Sequence, residues 1–377
     1  MYSRTMPLLY RVVDLRLHGR TRLWMDAWFP TLNSSNPTPD KVENFFEKLR
    51  EPMSNLRARQ NSFVAAMLKD TSLARHVVSL TWTCQRPPQQ SREEEQNIWK
   101  VFALLSNVKN LDITFFIGYF SWRNRAIAPP PPLFPHASRI RIGGHASYAI
   151  LRAITSSPSQ MLYLALDNIQ AFDQSQDGHP MAIVPSLSDA PETEDEEGWP
   201  LLRHAGPMHG HLRPLMGQCS NLQELYFCVM GQQHANERNW PDKREAKRYS
   251  EMAEFIDSVK ATLRDFTFGQ ASYLDIFRMS ESEDDSDMED LVQPMDARFQ
   301  KHLFPTLLCG PWPLLECMTI CGGAGSGKSA SMLKYSHEVV RPAKEELNAS
   351  LPERVDFKWH EWLGELLYRL EPNGIYR

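Results

Sequence analysis

VKNLDI, Val108–Ile113, decides the fold: an apolar residue, two positions, an apolar residue, one position, an apolar residue. The same spacing returns as VVSLTW (Val77–Trp82), ASRIRI (Ala137–Ile142) and MLYLAL (Met161–Leu166). After a long interval it returns again as LQELYF (Leu222–Phe227), LRDFTF (Leu263–Phe268) and LECMTI (Leu315–Ile320), and VVDLRL (Val12–Leu17) reads as a first copy. A short strand followed by a helix cannot bury its own apolar side, so recurrence of such a unit means that neighbours stack. The expected fold is therefore α/β, an irregular leucine-rich-repeat-like solenoid with short parallel strands and intervening helices. Leu111 and Ile113, Ile140 and Ile142, Leu164 and Leu166 should point into one core. The residues between them, such as Thr81, Asp112, Arg141, Ala165, Tyr226 and Thr267, should face outward from a strand wall that suits partner binding.

Helical spacing fills the intervals. Val42, Phe45, Phe46 and Leu49 share one face, Pro52 interrupts, and a second helix over about Leu56–Leu68 places Phe63, Val64, Met67 and Leu68 on one side. Ile98, Val101, Phe102 and Leu105 define a helix ahead of Val108, and Ser147 can cap a short helix over Tyr148–Thr155. Asp242–Lys260 turns Tyr249, Met252, Ala253, Ile256 and Val259 inward and carries KREAKR (Lys243–Arg248) on its polar face. A helix over Ala330–Val340 should stop at Pro342. Three regions follow: an N-terminal helical and strand segment over 1–74, a repeat region over 75–340, and a C-terminal capping segment over 341–377. The repeat region is interrupted at 173–200 and 280–291 by acidic, proline- or serine-bearing insertions (ETEDEEG, Glu192–Gly198; SESEDDSDMED, Ser280–Asp290) with the composition of disordered loops.

Charge excludes some functions. A net charge of −5 with mixed signs gives no pull toward nucleic acid or anionic membranes. No apolar run reaches membrane-spanning length, and the charged amino terminus lacks a signal-peptide core. The six cysteines show no C-x-x-C pair, which suits free thiols in a reducing compartment, cytoplasmic or nuclear. No nucleophile elbow or Cys–His frame is present, so the expectation is a non-catalytic protein without a cofactor. His204, His209, His211 and Cys219 lie close together, but their spacing is a poor match to a zinc site. Ser280, Ser282 and Ser286 each have an acidic residue three positions on, the pattern of an acidophilic kinase substrate.

One motif points elsewhere. Gly322–Ser329, GGAGSGKS, fits G-x-x-x-x-G-K-[ST] between an expected strand and an expected helix. In that chemistry backbone N–H groups of Gly323–Gly327 surround phosphate oxygens, Lys328 reaches the β/γ-phosphates and Ser329 holds Mg²⁺. A nucleotide-binding protein is the alternative reading. Against it, the sole later strand candidate, Arg354–Trp359, carries Asp356 mid-strand rather than at its end, where a metal-holding aspartate belongs.

LLYRVVDLRLH (Leu8–His18) resembles the segment just past the F-box in filamentous-fungal F-box proteins. The block running from SLARHVVSLTW through IWKVFALLSNVKNLDI and LFPHASRIRIGGH to MLYLALDNIQ (Ser72–Gln170) is similar to their degenerate leucine-rich region. The resemblance implies a substrate-recognition region of a cullin–RING ubiquitin ligase, with 1–74 as a post-F-box-like segment. The F-box itself is missing or truncated ahead of Met6, so a Skp-type adaptor is implied as a partner only if an F-box lies upstream. The partners expected on the strand wall are proteins.

Overall fold

The computed structural model describes residues 8–17, 39–84, 92–115, 132–146, 148–171, 206–231, 242–272, 298–322 and 340–360. The chain divides into two compact units: 1–17, 54–222 and 238–244 form the first, and 18–53, 223–237 and 245–377 the second. Each is α/β with its long strands parallel.

In the first unit β1 (Val12–Leu15), β2 (Ser79–Cys84), β3 (Asn110–Phe115), β4 (Arg139–His145) and β5 (Tyr163–Ala171) lie side by side in chain order. A two-residue strand, β6 (Gly206–Pro207), pairs antiparallel with the end of β5. Helices α1 (Pro39–Lys69, of which residues 54–69 fall in this unit), α2 (Arg92–Leu104) and α3 (Tyr148–Ile154) run between strands. The second unit has β7 (Glu224–Gly231), β8 (Asp265–Ser272), β9 (Cys317–Cys321) and β10 (Asp356–His360), again parallel and in chain order. Its helices are α4 (Asp242–Val259), a π-helical turn at Phe299–Leu303 continuing into α5 (Phe304–Leu308), and α6 (Arg341–Ser350).

Pairing joins equivalent motif positions without stagger. Leu80, Leu111, Ile140 and Leu164 stand opposite one another, as do Trp82, Ile113, Ile142 and Leu166. In the second unit the rows are Leu225, Phe266, Met318, Phe357 and Phe227, Phe268, Ile320, Trp359. Of the twenty-one apolar positions in the seven copies from Val77 to Ile320, none is more than 5% exposed. The helices cover this side: Trp82 meets Phe63 of α1 and Phe102 of α2, while Phe268 meets Tyr249 of α4 and Phe299.

The strand entries repeat as well. The two amides that open each strand both donate to one carbonyl of the strand before it: Val78 and Ser79 to Arg11, Lys109 and Asn110 to Val78, Ser138 and Arg139 to Lys109, Leu162 and Tyr163 to Ser138. In the second unit β8 and β9 do the same, with Arg264 and Asp265 on Gln223 and Glu316 and Cys317 on Arg264, whereas at β10 only Asp356 donates to Glu316 and Val355 donates to Pro352. Asn107 and Asn221, each four residues ahead of a core leucine, donate their side-chain amides to the carbonyls of Arg75 and Ser159, each five residues ahead of the previous one.

Several expectations are corrected. The first copy is framed two residues early: Val13 pairs with Leu80 and Leu15 with Trp82, so Val12 lies on the opposite face and is 65% exposed. The expected break at Pro52 is absent, and α1 runs through it; the apolar stripe Leu56, Phe63, Val64 and Met67 packs strongly enough to offset one missing N–H. Pro342 opens α6 rather than closing a helix, as a residue whose missing donor is harmless in a first turn. Arg248 of KREAKR is buried against Glu245 at 2.6 Å, while Lys247 stays exposed. The inward face of α4 is as expected, with Tyr249, Met252, Ala253, Ile256 and Val259 all buried. Among the described residues no helix is long and apolar enough to cross a membrane. The insertions at 173–200 and 280–291 lie outside the described residues, as do Ser147, all but Val340 of the helix expected over Ala330–Val340, and the chain after His360.

Candidate functional site: the strand walls

Side chains alternate across a strand, so a level ladder sorts everything between the core positions onto one face. In the first unit that face carries a central row of Asp14, Thr81, Asp112, Arg141 and Ala165. Arg141 is its organising residue. Its Nη1 lies 3.2 and 3.3 Å from the two Asp112 carboxylate oxygens, and its Nη2 lies 2.5 Å from Asp167 Oδ2. Asp112 belongs to the strand before and Asp167 to the strand after, so one guanidinium ties three strands. Gly143 stands opposite Asp167, where a Cβ would make only ordinary contacts, 3.4 Å from the Asp167 carbonyl oxygen. Beside this bracket the Arg139 guanidinium sits 4.7 Å over the Tyr163 ring. Asp14 pairs with Arg16 at 3.1 Å, and the Leu17 amide donates to the Thr83 hydroxyl.

The wall residues occupy the expected face, but their exposure does not match the expectation. Thr81, Asp112, Ala165 and Tyr226 are buried, sheltered by taller neighbours such as Arg141, and Arg141 and Thr267 are half-buried. What a partner would meet in the first unit is the tips of Asn110, Arg139, Arg141, Tyr163 and Asp167.

The second unit presents different chemistry on the same ladder. Its opening row is Glu224, Asp265, Cys317 and Asp356, with Glu316 next to Cys317. Asp265 sits at the rim of this row; desolvation there, and then the Glu224 carboxylate, push its carboxyl above the ordinary range. The Cys317 thiol is raised by desolvation and by Asp265. Lys358, at the Tyr226–Thr267–Thr319 level, pairs with Asp356, and Arg264 reaches Glu316 at 2.8 Å.

The phosphate-loop motif enters the described structure only at Gly322. That glycine has φ 87°, and a Cβ there would fall 1.9 Å from the Gln270 carbonyl oxygen. Its N–H donates to the His360 carbonyl at 2.9 Å, as a rung of the ladder rather than as an anion donor. Gly144 has φ 82°, and both glycines stand two residues beyond the last core position of their strand, Ile142 and Ile320. The first glycine of the motif thus occupies a place that belongs to the repeat. Gly327, Lys328 and Ser329 lie outside the described residues, as do Ser280, Ser282 and Ser286. β9 stands between β8 and β10, the strands next to it in sequence, whereas nucleotide sites in doubly wound sheets form where strand order reverses.

His204 also lies outside the described residues. Cys219 is buried, and burial pushes its thiol up to about 12, the opposite of what a thiolate ligand requires. Among the described residues no cluster of histidine, cysteine and carboxylate is arranged to hold a metal ion. The Arg141 bracket was half legible in the sequence, because Asp112 and Arg141 share the fifth motif position; Asp167 lies one residue past its own motif and carried no signal.

No protein-family model and no curated protein sequence matches the chain.

Proposed function

We propose that the chain is an irregular leucine-rich-repeat-like solenoid acting as a non-catalytic protein-interaction scaffold, with its strand walls as the docking surface. The observation that carries this reading is the strand junction made alike at six entries, two amides onto one carbonyl, in both units. Sequential parallel order and level rows support it, since strands stacked turn upon turn need no switch point. By resemblance, the function is that of the substrate-recognition region of a fungal F-box protein in a cullin–RING ubiquitin ligase, in the cytoplasm or nucleus. A Skp-type adaptor joins it only where an F-box lies upstream.

The test is quantitative affinity capture from fungal lysate with three baits: wild type, Arg139→Glu on the wall, and Lys100→Glu on the exposed side of α2. A protein held by wild type and Lys100→Glu and lost from Arg139→Glu is the expected result. Equal capture by all three baits, or none by any, ends the proposal. A parallel bait extended with its upstream coding sequence tests the adaptor.

A further inference from the structure

The three most exposed large apolar side chains among the described residues lie within five positions: Leu8 (70%), Leu9 (71%) and Val12 (65%). Leu8 and Leu9 precede β1 and Val12 opens it; β1 is the first strand of the first unit and, among the described residues, pairs with β2 alone. β10 is the last strand of the second unit and, among the described residues, pairs with β9 alone. Apolar side chains beside a strand edge mark a place where another strand can add.

We propose that two copies of this chain join head to tail, β10 of one adding in parallel to β1 of the next. The register is fixed by the ladder. Phe357 is the β10 counterpart of Met318, and Val13 that of Leu80, so extending the level rows puts Phe357 opposite Val13 and Trp359 opposite Leu15. Both pairs are apolar on the core side, and Phe357 and Trp359 are only half-buried within their own copy. On the wall side the same register puts Lys358 opposite Asp14, a cation facing a carboxylate, each already held by a neighbour of opposite sign in its own strand. It also puts Asp356 opposite Val12. The entry junction continues in its single-amide form: the Val12 amide would meet the carbonyl of Val355 as Asp356 meets Glu316, while the Arg11 amide donates to Leu8 within its own copy as Val355 does to Pro352. Such a contact uses a different surface on each copy, so it gives rings if the rotation closes and open chains if it does not.

Two variants block the two edges separately. Val12→Glu faces a carboxylate with Asp356, and Lys358→Glu faces one with Asp14; like charges directly opposite oppose pairing. Both positions are at least partly open to solvent, and circular dichroism checks that each variant is folded. Sedimentation velocity should show the weight-average mass of wild type rising with concentration, and each variant alone should stay monomeric. An equimolar mixture should form a dimer and nothing larger, because only one good edge of each kind remains. A monomeric wild type at its highest soluble concentration overturns the proposal, as does association of either variant alone. A mixture without dimer also overturns it.

Discussion

In the first unit the opening wall row reads Val12, Ser79, Asn110, Arg139 and Tyr163; in the second it reads Glu224, Asp265, Cys317 and Asp356. Behind both rows the same ladder holds the same kinds of residue at the same depth. The first unit answers its carboxylates by bracketing one arginine between Asp112 and Asp167, whereas the second leaves its carboxylates in a row and takes its cations from Arg264 and Lys358 at the margins. The core positions are constrained by packing and the wall positions are not, so one scaffold carries two surface chemistries.

If the ladders are equivalent, truncating equivalent core positions should cost similar amounts. Leu111→Ala should lose about 2–5 kcal/mol and Phe266→Ala about 3–5 kcal/mol in denaturant unfolding, against under about 1 kcal/mol for Thr114→Ala on the wall. A small loss at either core position breaks the equivalence. Gly322→Ala comes next. It pays the left-handed backbone penalty of about 1–2 kcal/mol and must also push the Gln270 carbonyl aside, and Gly144→Ala should share the first of these. An unfolding midpoint unmoved by Gly322→Ala would remove this glycine from the ladder.

Much of the frame could be read from spacing alone, because a residue wholly enclosed by neighbours has to be apolar and its spacing then reports the strand. What could not be read depended on pairing between distant segments. Val12-x-x-Leu15 and Val13-x-Leu15 both satisfy the apolar pattern, and only the partnership of Val13 with Leu80 selects the second. KREAKR looks like a solvated face until Glu245, three residues before Arg248, supplies the counter-charge that lets both be buried. Gln60 is a polar residue in a helix by sequence; in the structure its amide donates to the carbonyls of Leu15 and Thr83 and ties the ends of β1 and β2. The Arg141 bracket needed three strands in register, and the motif supplied two of its three members.

The walls also differ in what their charges should cost to remove. Arg141→Ala leaves a buried carboxylate, Asp112, and a half-buried one, Asp167, without their shared cation and should lose roughly 1–3 kcal/mol, whereas Arg264→Ala breaks an exposed pair and should lose under about 0.5 kcal/mol. Equal losses would mean that the bracket is no more than a surface pair. Acid should separate the units as well. The folded Asp265 carboxyl holds its proton more tightly than an unfolded one, so its contribution favours the fold in acid and fades as pH rises from about 3.8 through its raised value. Asp70, lowered by the Ser72 hydroxyl and amide, runs the other way and loses its contribution as pH falls through that region. Asp265→Asn should therefore stabilise slightly at neutral pH, with the gain vanishing in acid, and Asp70→Asn should show the opposite trend.

The smallest expected effect is the one that decides between the two readings of Gly322–Ser329. If the motif is a turn leaving a ladder strand, Lys328 has no phosphate to meet. Lys328→Ala should then leave the unfolding midpoint within about 0.5 kcal/mol of wild type. Calorimetry with ATP or GTP and Mg²⁺ should give no binding heat for either protein. Micromolar binding by wild type that disappears in Lys328→Ala would instead mean that the ladder supplies Gly322 and the loop supplies a phosphate cradle, giving the second unit a chemistry that the glycine pair within β4 does not share.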